Sequence, residues 1–118
     1  MNEVKSHYLR GTFFAFFGRN FVFECGDGWF ELIKSLCEKL DSSGADTLSV
    51  SQVKEKCGGL RFYVDLPDAH TATRIKVNGL IAKAEKDSFR ICEICGKDGQ
   101  IMQNGLKIKT RCENCSSL

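Results

Sequence analysis

The chain has 118 residues, a formal net charge of +2 and 42% apolar residues, which suits one ordinary domain or a domain of roughly 90 residues with a short appendage. This balance and the single proline exclude a disordered tail and a supercharged nucleic-acid coat. Seven cysteines are many for a chain that opens MNEVKSHYLR, without an apolar secretory leader. We therefore expect a cytoplasmic protein whose paired cysteines bind metal.

The first predicted element is rich in phenylalanine, since six of the nine phenylalanines lie between residues 13 and 23. Aromatic runs on both sides of Gly18-Arg19-Asn20 predict two paired strands with core side chains. The run is too short for the ~20 residues that span a bilayer, so no membrane contact is expected. The alternative is an exposed patch that docks a protein partner, formed by Phe13, Phe14, Phe16 and Phe17.

A helix is predicted after a short break of sequence ECGDG. Apolar residues then recur at helical spacing: Trp29, Ile33, Leu36, Cys37 and Leu40. Asp27 precedes them, and we expect its carboxylate to cap the helix by accepting from the free amides of the first turn. The sequence Asp41-Ser42-Ser43-Gly44 ends the run, so Cys37 is expected to lie in a buried stripe.

Residues 47–66 predict a β-hairpin. The apolar residues of its second arm share one face: Leu60, Phe62, Val64 and Leu66. Cys57-Gly58-Gly59 supplies the turn, because glycine adopts positive φ without penalty. Val53 has the opposite parity to Leu48 and Val50 in the first arm, which predicts a bulge between them.

A second helix is predicted from Asp68 to Ser88, where apolar residues again recur at helical spacing: Ala72, Ile75, Leu80, Ile81 and Ala84. These elements predict an α+β fold in which two helices pack on a small antiparallel β-sheet. We place this domain at residues 1–88 and a separate unit at residues 89–118.

The C-terminal unit contains two C-x2-C pairs separated by 16 residues. Each pair offers two thiolates from a tight turn, and two such turns close a tetrahedron around a metal ion. Between them lies Asn104-Gly105, the dipeptide that best forms a two-residue hairpin turn. The pattern predicts a four-cysteine zinc ribbon with one structural zinc ion, and an iron–sulfur site and thiol redox chemistry are the alternatives. The ligands would be Cys92, Cys95, Cys112 and Cys115.

Basic residues form two groups. Residues 89–118 hold five basic and three acidic residues and so carry the whole net charge, and three of these cations alternate along one predicted strand: Lys107, Lys109 and Arg111. A second group surrounds the first hairpin turn: Lys54, Lys56 and Arg61, with Tyr63. Cations with an interleaved aromatic ring are typical of surfaces that bind single-stranded nucleic acid or an acidic partner. The alternative is a solvated surface whose lysines keep a strand soluble.

Little in the sequence predicts catalysis. A metal site of four thiolates has no open coordination position, and the chain lacks a phosphate loop, a dinucleotide fingerprint and a serine elbow. A thiol-dependent enzyme would need Cys25 or Cys57 as nucleophile and His7 or His70 as base. We therefore expect no enzyme activity and no small-molecule substrate.

Three stretches together resemble a family of small bacterial and bacteriophage proteins. They are ECGDGWFELIKSLC at residues 24–37, QVKEKCGGLRFYV at residues 52–64 and AEKDSFRICEICGKDG at residues 84–99. The family carries a GDGWF segment, a VKEKxGGLRFY hairpin and a C-terminal CxxCG knuckle. Relatives usually have an aromatic residue at the position of Cys57, and they often have a cysteine and a histidine at those of Cys112 and Cys115.

The resemblance implies a phage or prophage accessory protein that binds a host macromolecule in the cytoplasm of the host cell. One version is an inhibitor of a host defence complex, such as an anti-CRISPR protein. We therefore predict a non-enzymatic zinc-ribbon protein whose macromolecular partner is a protein in preference to a nucleic acid. A nucleic-acid-binding zinc ribbon is the first alternative, and a thiol-dependent enzyme is the second.

Overall fold

The computed structural model describes all residues from 1 to 118. It confirms the predicted α+β class with a C-terminal four-cysteine ribbon and adds a third helix to the predicted two. The elements in chain order are α1 (Glu3–Thr12), β1 (Phe23–Glu24), α2 (Phe30–Asp41), β2 (Ser49–Lys56), β3 (Gly59–Asp65), α3 (Thr71–Ser88), β4 (Gln100–Asn104) and β5 (Lys107–Arg111). The strands form two sheets, β1-β2-β3 and β4-β5.

Helix α1 begins with a side-chain cap that the sequence analysis missed. The Oδ1 atom of Asn2 accepts from the backbone N–H of Lys5 at 2.9 Å. The Asp27 carboxylate accepts from the backbone N–H and the side-chain amide of Asn2, at 2.6 and 3.2 Å. The predicted role of Asp27 is therefore wrong. It fixes the start of α1, whereas α2 follows a short 3-10 turn without a side-chain cap.

The phenylalanine-rich segment does not form the two predicted strands. Residues 13–22 form turns, and only Phe23–Glu24 pairs, in parallel, with β2. The rings pack on one another, with the centroid of Phe17 4.9 Å from that of Phe21 and 5.0 Å from that of Phe23. In an extended strand, neighbouring rings would point to opposite faces, whereas the turns let these rings pack together. Tertiary packing therefore outweighs the strand propensity of these residues.

Strands β2 and β3 form the predicted hairpin. Cys57 and Gly58 both have positive φ, 51° and 85°, as a two-residue type I′ turn requires. The pairing register shifts between Val50 and Gln52, which confirms the predicted bulge. Because side chains alternate along a strand, the face opposite buried Val53 presents polar residues. We call this surface the outer hairpin face, and it consists of Gln52, Lys54, Lys56, Arg61 and Tyr63.

Helix α3 covers the free edge of β3. The Ser88 hydroxyl oxygen accepts from the backbone N–H of Leu60 at 2.9 Å, and the Glu85 carboxylate accepts from that of Phe62 at 2.9 Å. The predicted apolar stripe of this helix is partly wrong, since Ile75 is 68% exposed. The buried residues are Val77, Ile81, Ala84 and Ser88.

One core of 21 buried residues fills the space between the helices and the first sheet. The predicted stripe of α2 supplies its centre, with Trp29, Ile33, Cys37 and Leu40 wholly buried. None of the helices combines the length and the apolar character needed to cross a membrane.

The ribbon, residues 89–118, contains the β4-β5 hairpin between two cysteine turns. Its loop is one residue later than predicted, because Asn104 pairs with Lys107 and leaves Gly105 and Leu106 as the loop. Gly105 has a φ of 63°, the pattern of a type II′ turn, which places glycine first. Leu106 is fully exposed.

Candidate metal centre and its surroundings

Four cysteine sulfur atoms meet at one end of the ribbon. Cys92 and Cys95 come from the turn before β4, and Cys112 and Cys115 from the turn after β5. The four Sγ atoms lie within 4.8 Å of one another, and those of Cys95 and Cys112 are 3.6 Å apart. Sulfur ligands of a tetrahedral site lie about 3.8 Å apart when each metal–sulfur bond is about 2.3 Å. The cluster therefore fits one tetrahedrally bound metal ion.

Local backbone geometry shapes the first cysteine turn. The N–H of Gly96 donates to the carbonyl oxygen of Cys92 at 2.9 Å, and the N–H of Cys92 donates to that of Lys97 at 2.8 Å. Gly96 has a φ of 83°, which glycine adopts without strain. The turn closes on itself and holds the sulfur atoms of Cys92 and Cys95 on the same side.

The thiols of the cluster differ in acidity. Burial disfavours the thiolate of Cys92, but backbone N–H groups of Cys112, Cys95 and Ile94 donate to its sulfur and lower its pKa to about 6. Hydrogen bonding with the Cys112 side chain raises the pKa of Cys115 to about 12. At neutral pH the low pKa of Cys92 favours its thiolate, and a metal ion must displace the proton of Cys115. Metal affinity falls as the pH is lowered, because protons then compete for the ligands.

The centre has a closed ligand set. Cys92, Cys112 and Cys115 are buried, and Cys95 is exposed. Four sulfur ligands complete a tetrahedron and leave no position for water or substrate. An ion held in this way stabilises the fold and does not activate a reactant.

Glu93 connects the metal centre to the first 88 residues. Its Oε2 atom accepts from the backbone N–H of Gly26 at 2.8 Å, and its Oε1 atom accepts from Nη1 of Arg111 at 3.1 Å. Its backbone carbonyl accepts from the N–H of Gly28 at 2.7 Å. The Glu93 and Arg111 side chains are both buried, so each depends on the other to offset its lost hydration.

The start of α2 packs directly on the first cysteine turn. The indole N–H of Trp29 donates to the carbonyl oxygen of Ile91 at 2.9 Å. A Cβ atom at Gly28 would overlap the carbonyl oxygen of Cys92, so only glycine permits this approach. The metal centre is therefore bound into the core of the protein.

A second contact joins the ribbon to the tip of the β2-β3 hairpin. The Thr110 hydroxyl donates to the carbonyl oxygen of Gly58 at 2.6 Å. The Lys109 ammonium contacts Oε1 of Glu55 at 2.7 Å, and Oε2 of Glu55 accepts from the N–H of Gly58 at 2.7 Å. The ring of Phe89 lies where a side chain at Gly59 would stand. The ribbon thus supports the hairpin turn from its inner side.

The three cations predicted on one strand face of the ribbon do share a face of β5, but two of them are paired. Arg111 is buried against Glu93, and Lys109 contacts Glu55. Lys107 makes no ion pair and is exposed. This face therefore offers one unpaired cation.

The second predicted basic group remains available for a contact with another molecule. Lys54, Lys56 and Arg61 make no ion pair and lie with Tyr63 on the outer hairpin face. The Lys54 ammonium stands 5.9 Å from the centroid of the Tyr63 ring. The structure thus brings these four residues together on the side of the hairpin opposite Glu55.

The four phenylalanines of the predicted docking patch do not share a surface. Phe13, Phe16 and Phe17 are buried, whereas Phe14 is 78% exposed. The interpretation of the segment as core is right for three of them. A patch of four exposed rings is not present.

The remaining cysteines and the histidines do not form a nucleophile and base pair. Burial raises the pKa of Cys25 to about 12 and also raises that of Cys37, so both thiols keep their protons at neutral pH. Cys57 is exposed in the hairpin turn. His7 lies on an exposed position of α1 and His70 at the exposed start of α3, and no hydrogen bond joins either imidazole to a cysteine.

Comparison of the chain with protein family models, with curated proteins and with solved structures finds no match. The resemblance to the bacterial and bacteriophage family therefore stays a prediction.

Proposed function

We propose that this chain is a non-enzymatic zinc protein whose metal organises a surface for binding a macromolecular partner. The observation that supports this most is that four sulfur atoms close the metal site while Glu93 and Trp29 tie it into the core. A metal in such a position stabilises the fold and has no free coordination position for chemistry. The protein would then act by binding a partner through its surface.

Zinc is the metal that suits the site best. Tetrahedral sets of four thiolates take zinc, a single iron ion or an iron–sulfur cluster. A cluster of several iron atoms needs more room than the 4.8 Å within which these sulfur atoms lie. Zinc prefers this tetrahedral geometry and has no redox chemistry of its own.

The distribution of surface residues bears on the class of partner. The resemblance and the near-neutral charge favoured a protein partner, with the phenylalanine-rich segment as its interface if that segment were exposed. Phe13, Phe16 and Phe17 are buried, so three of the four expected aromatic anchors are not available to a partner. The outer hairpin face instead combines three unpaired cations with an exposed tyrosine, which supports the nucleic-acid alternative.

Affinity capture from a bacterial extract tests the proposed function. Tagged, zinc-loaded full-length protein is incubated with extract that has or has not been treated with nuclease, and protein and nucleic acid are quantified in the same eluate. The matched control is the Cys92→Ser/Cys112→Ser variant, which lacks two ligands. We expect the wild-type chain to bind one equivalent of zinc and to recover a partner in near-equimolar amount. We expect the control variant to do neither.

Recovery of no macromolecule above the level of the control variant would contradict the proposed function. A partner that survives nuclease is a protein, and one that nuclease removes is a nucleic acid. A subunit of a host defence complex among the nuclease-resistant partners would support the inhibitor that the resemblance implies.

A further inference from the structure

The outer hairpin face has a charge arrangement that the fold itself does not require. Lys54 and Arg61 are directly opposite each other in the antiparallel register of β2 and β3. Like charges at opposed positions on one face of a sheet destabilise the pairing. Lys56 adds a third cation at the end of β2 on the same face.

No acidic side chain forms an ion pair with these cations. The ion pairs of the protein join other residues, so none involves Lys54, Lys56 or Arg61. Glu24 is next to Lys54 in the parallel register of β1 and β2, but it lies outside ion-pair distance and is exposed. An external anion placed between Lys54 and Arg61 would relieve their repulsion.

An aromatic ring lies beside the opposed cations. Tyr63 pairs with Gln52, one step along the same face from Lys54 and Arg61, and it is 42% exposed. An exposed ring on a flat sheet can stack with an unpaired base, and every base has a π-face to offer. The neighbouring Gln52 amide adds a donor and an acceptor for polar atoms of a ligand.

We propose that the outer hairpin face binds single-stranded nucleic acid, with a backbone phosphate between Lys54 and Arg61 and a base stacked on Tyr63. This inference rests on the proposed function and names the class of partner. A duplex fits less well, because its bases are stacked inside the helix and cannot reach the ring. An acidic peptide could bind the cations but has no nucleobase to stack on the Tyr63 ring.

Fluorescence anisotropy with a labelled 12-nucleotide single strand of mixed sequence tests the proposal, using the zinc-loaded full chain. We expect log Kd to depend on log salt concentration with a slope of about 1.4, because two phosphates, one between Lys54 and Arg61 and one at Lys56, contribute roughly 0.7 each on a single strand. The Lys54→Gln/Arg61→Gln variant should bind at least tenfold more weakly and reduce the slope to about 0.7. The matched control is Lys39→Gln/Lys76→Gln, which removes two exposed charges from α2 and α3 and should bind within twofold of wild type.

Two further variants test the ring. Tyr63→Leu should weaken binding about tenfold, because stacking on an aromatic side chain accounts for roughly 5- to 150-fold in affinity per base. Tyr63→Phe keeps the ring and should bind within twofold of wild type. Zinc content and circular dichroism of every variant show whether its fold is intact.

Several results would overturn the proposal. They are equal affinity of the two double variants, equal affinity of Tyr63→Leu and wild type, equal affinity for the matching duplex, and tighter binding of a polyglutamate peptide than of the single strand. Any of these, together with a nuclease-resistant partner in the capture experiment, would remove single-stranded nucleic acid as the ligand of the outer hairpin face and leave the proposed function standing. Absence of every partner in both experiments would remove both.

Discussion

The first 88 residues and the ribbon are built on different kinds of core. The first part encloses a cluster of 21 buried residues, with Trp29, Ile33 and Leu40 at its centre. The buried cluster of the ribbon consists of three cysteines, and β4 has no buried residue. The ribbon therefore buries too little apolar surface to fold on that basis alone. A metal ion held by the four cysteines would supply the missing stability, together with the contacts to the larger core.

Through those contacts, the first 88 residues also depend on the ribbon. The N–H groups of Gly26, Gly28 and Trp29 all donate to Ile91 or Glu93. Without the metal, the ribbon atoms that accept these hydrogen bonds would no longer be held in place. The larger core should then remain folded with fewer polar contacts at one end.

Loss of the metal is the largest expected effect, because structural zinc contributes an apparent ~10–16 kcal/mol to folding of such units. The Cys92→Ser/Cys112→Ser variant should lose bound zinc, and amide exchange in residues 89–118 should become fast. Residues 1–88 should stay protected with a lower unfolding midpoint, except at the β2-β3 hairpin turn, which loses its contacts with Thr110 and Lys109. Mass spectrometry of zinc content and segment-resolved hydrogen exchange measure both parts.

The control for this experiment is Cys57→Ser, which changes an exposed cysteine outside the cluster. It should retain one equivalent of zinc. Retention of a full equivalent by the double variant would contradict the ligand assignment. Equally fast exchange throughout the chain would show that the two regions form one cooperative unit.

Two ion pairs on β5 differ in burial and should differ in their contribution to the free energy of unfolding. Arg111→Met leaves the buried Glu93 carboxylate without its cation and should cost about 3–5 kcal/mol. Lys109→Met breaks a more exposed pair with Glu55 and should cost about 0.2–1 kcal/mol. Urea unfolding of the zinc-loaded variants gives both values. Equal losses would mean that the pair of Glu93 and Arg111 is not the buried, mutually dependent pair described above.

The close approach of α2 to the ribbon can be tested with two glycines. Gly28→Ala puts a methyl group into the carbonyl oxygen of Cys92 and should cost about 1–3 kcal/mol. Gly79→Ala, in open space on α3, should instead stabilise the chain by about 0.5–1 kcal/mol, because alanine loses less conformational freedom in a helix. Thermal unfolding compares them. A tolerated Gly28→Ala would show that the ribbon is less tightly bound to the core.

The sequence predicted elements that depend on local spacing. The metal ligands follow from two C-x2-C pairs, the β2-β3 hairpin from alternation around Gly58, and α2 from its apolar stripe. Helix α1 has too few apolar residues for a stripe, since only Ser6 and Leu9 are buried. Asn2 followed by Glu3 in the first turn is a helix-start signal, and it would have predicted the start of α1.

The contacts between the two regions could not be predicted, because they join residues far apart in the chain. Glu93 reaches Gly26, and Thr110 reaches Gly58. No local pattern distinguishes these residues from exposed polar ones, and only the folded arrangement pairs them. The same holds for Lys109 and Arg111, whose alternation correctly predicts a shared face but not that both are paired.

The covered edge of β3 has a consequence for the behaviour of the protein at high concentration. The two outer strands of an open three-stranded sheet normally present free edges on which strands of other molecules can pair and aggregate. Here Ser88 and Glu85 occupy the N–H groups of Leu60 and Phe62, as a neighbouring strand would. Truncating both side chains should leave these two N–H groups without acceptors beneath α3 and lower the thermal unfolding midpoint, while α3 itself still blocks strand addition.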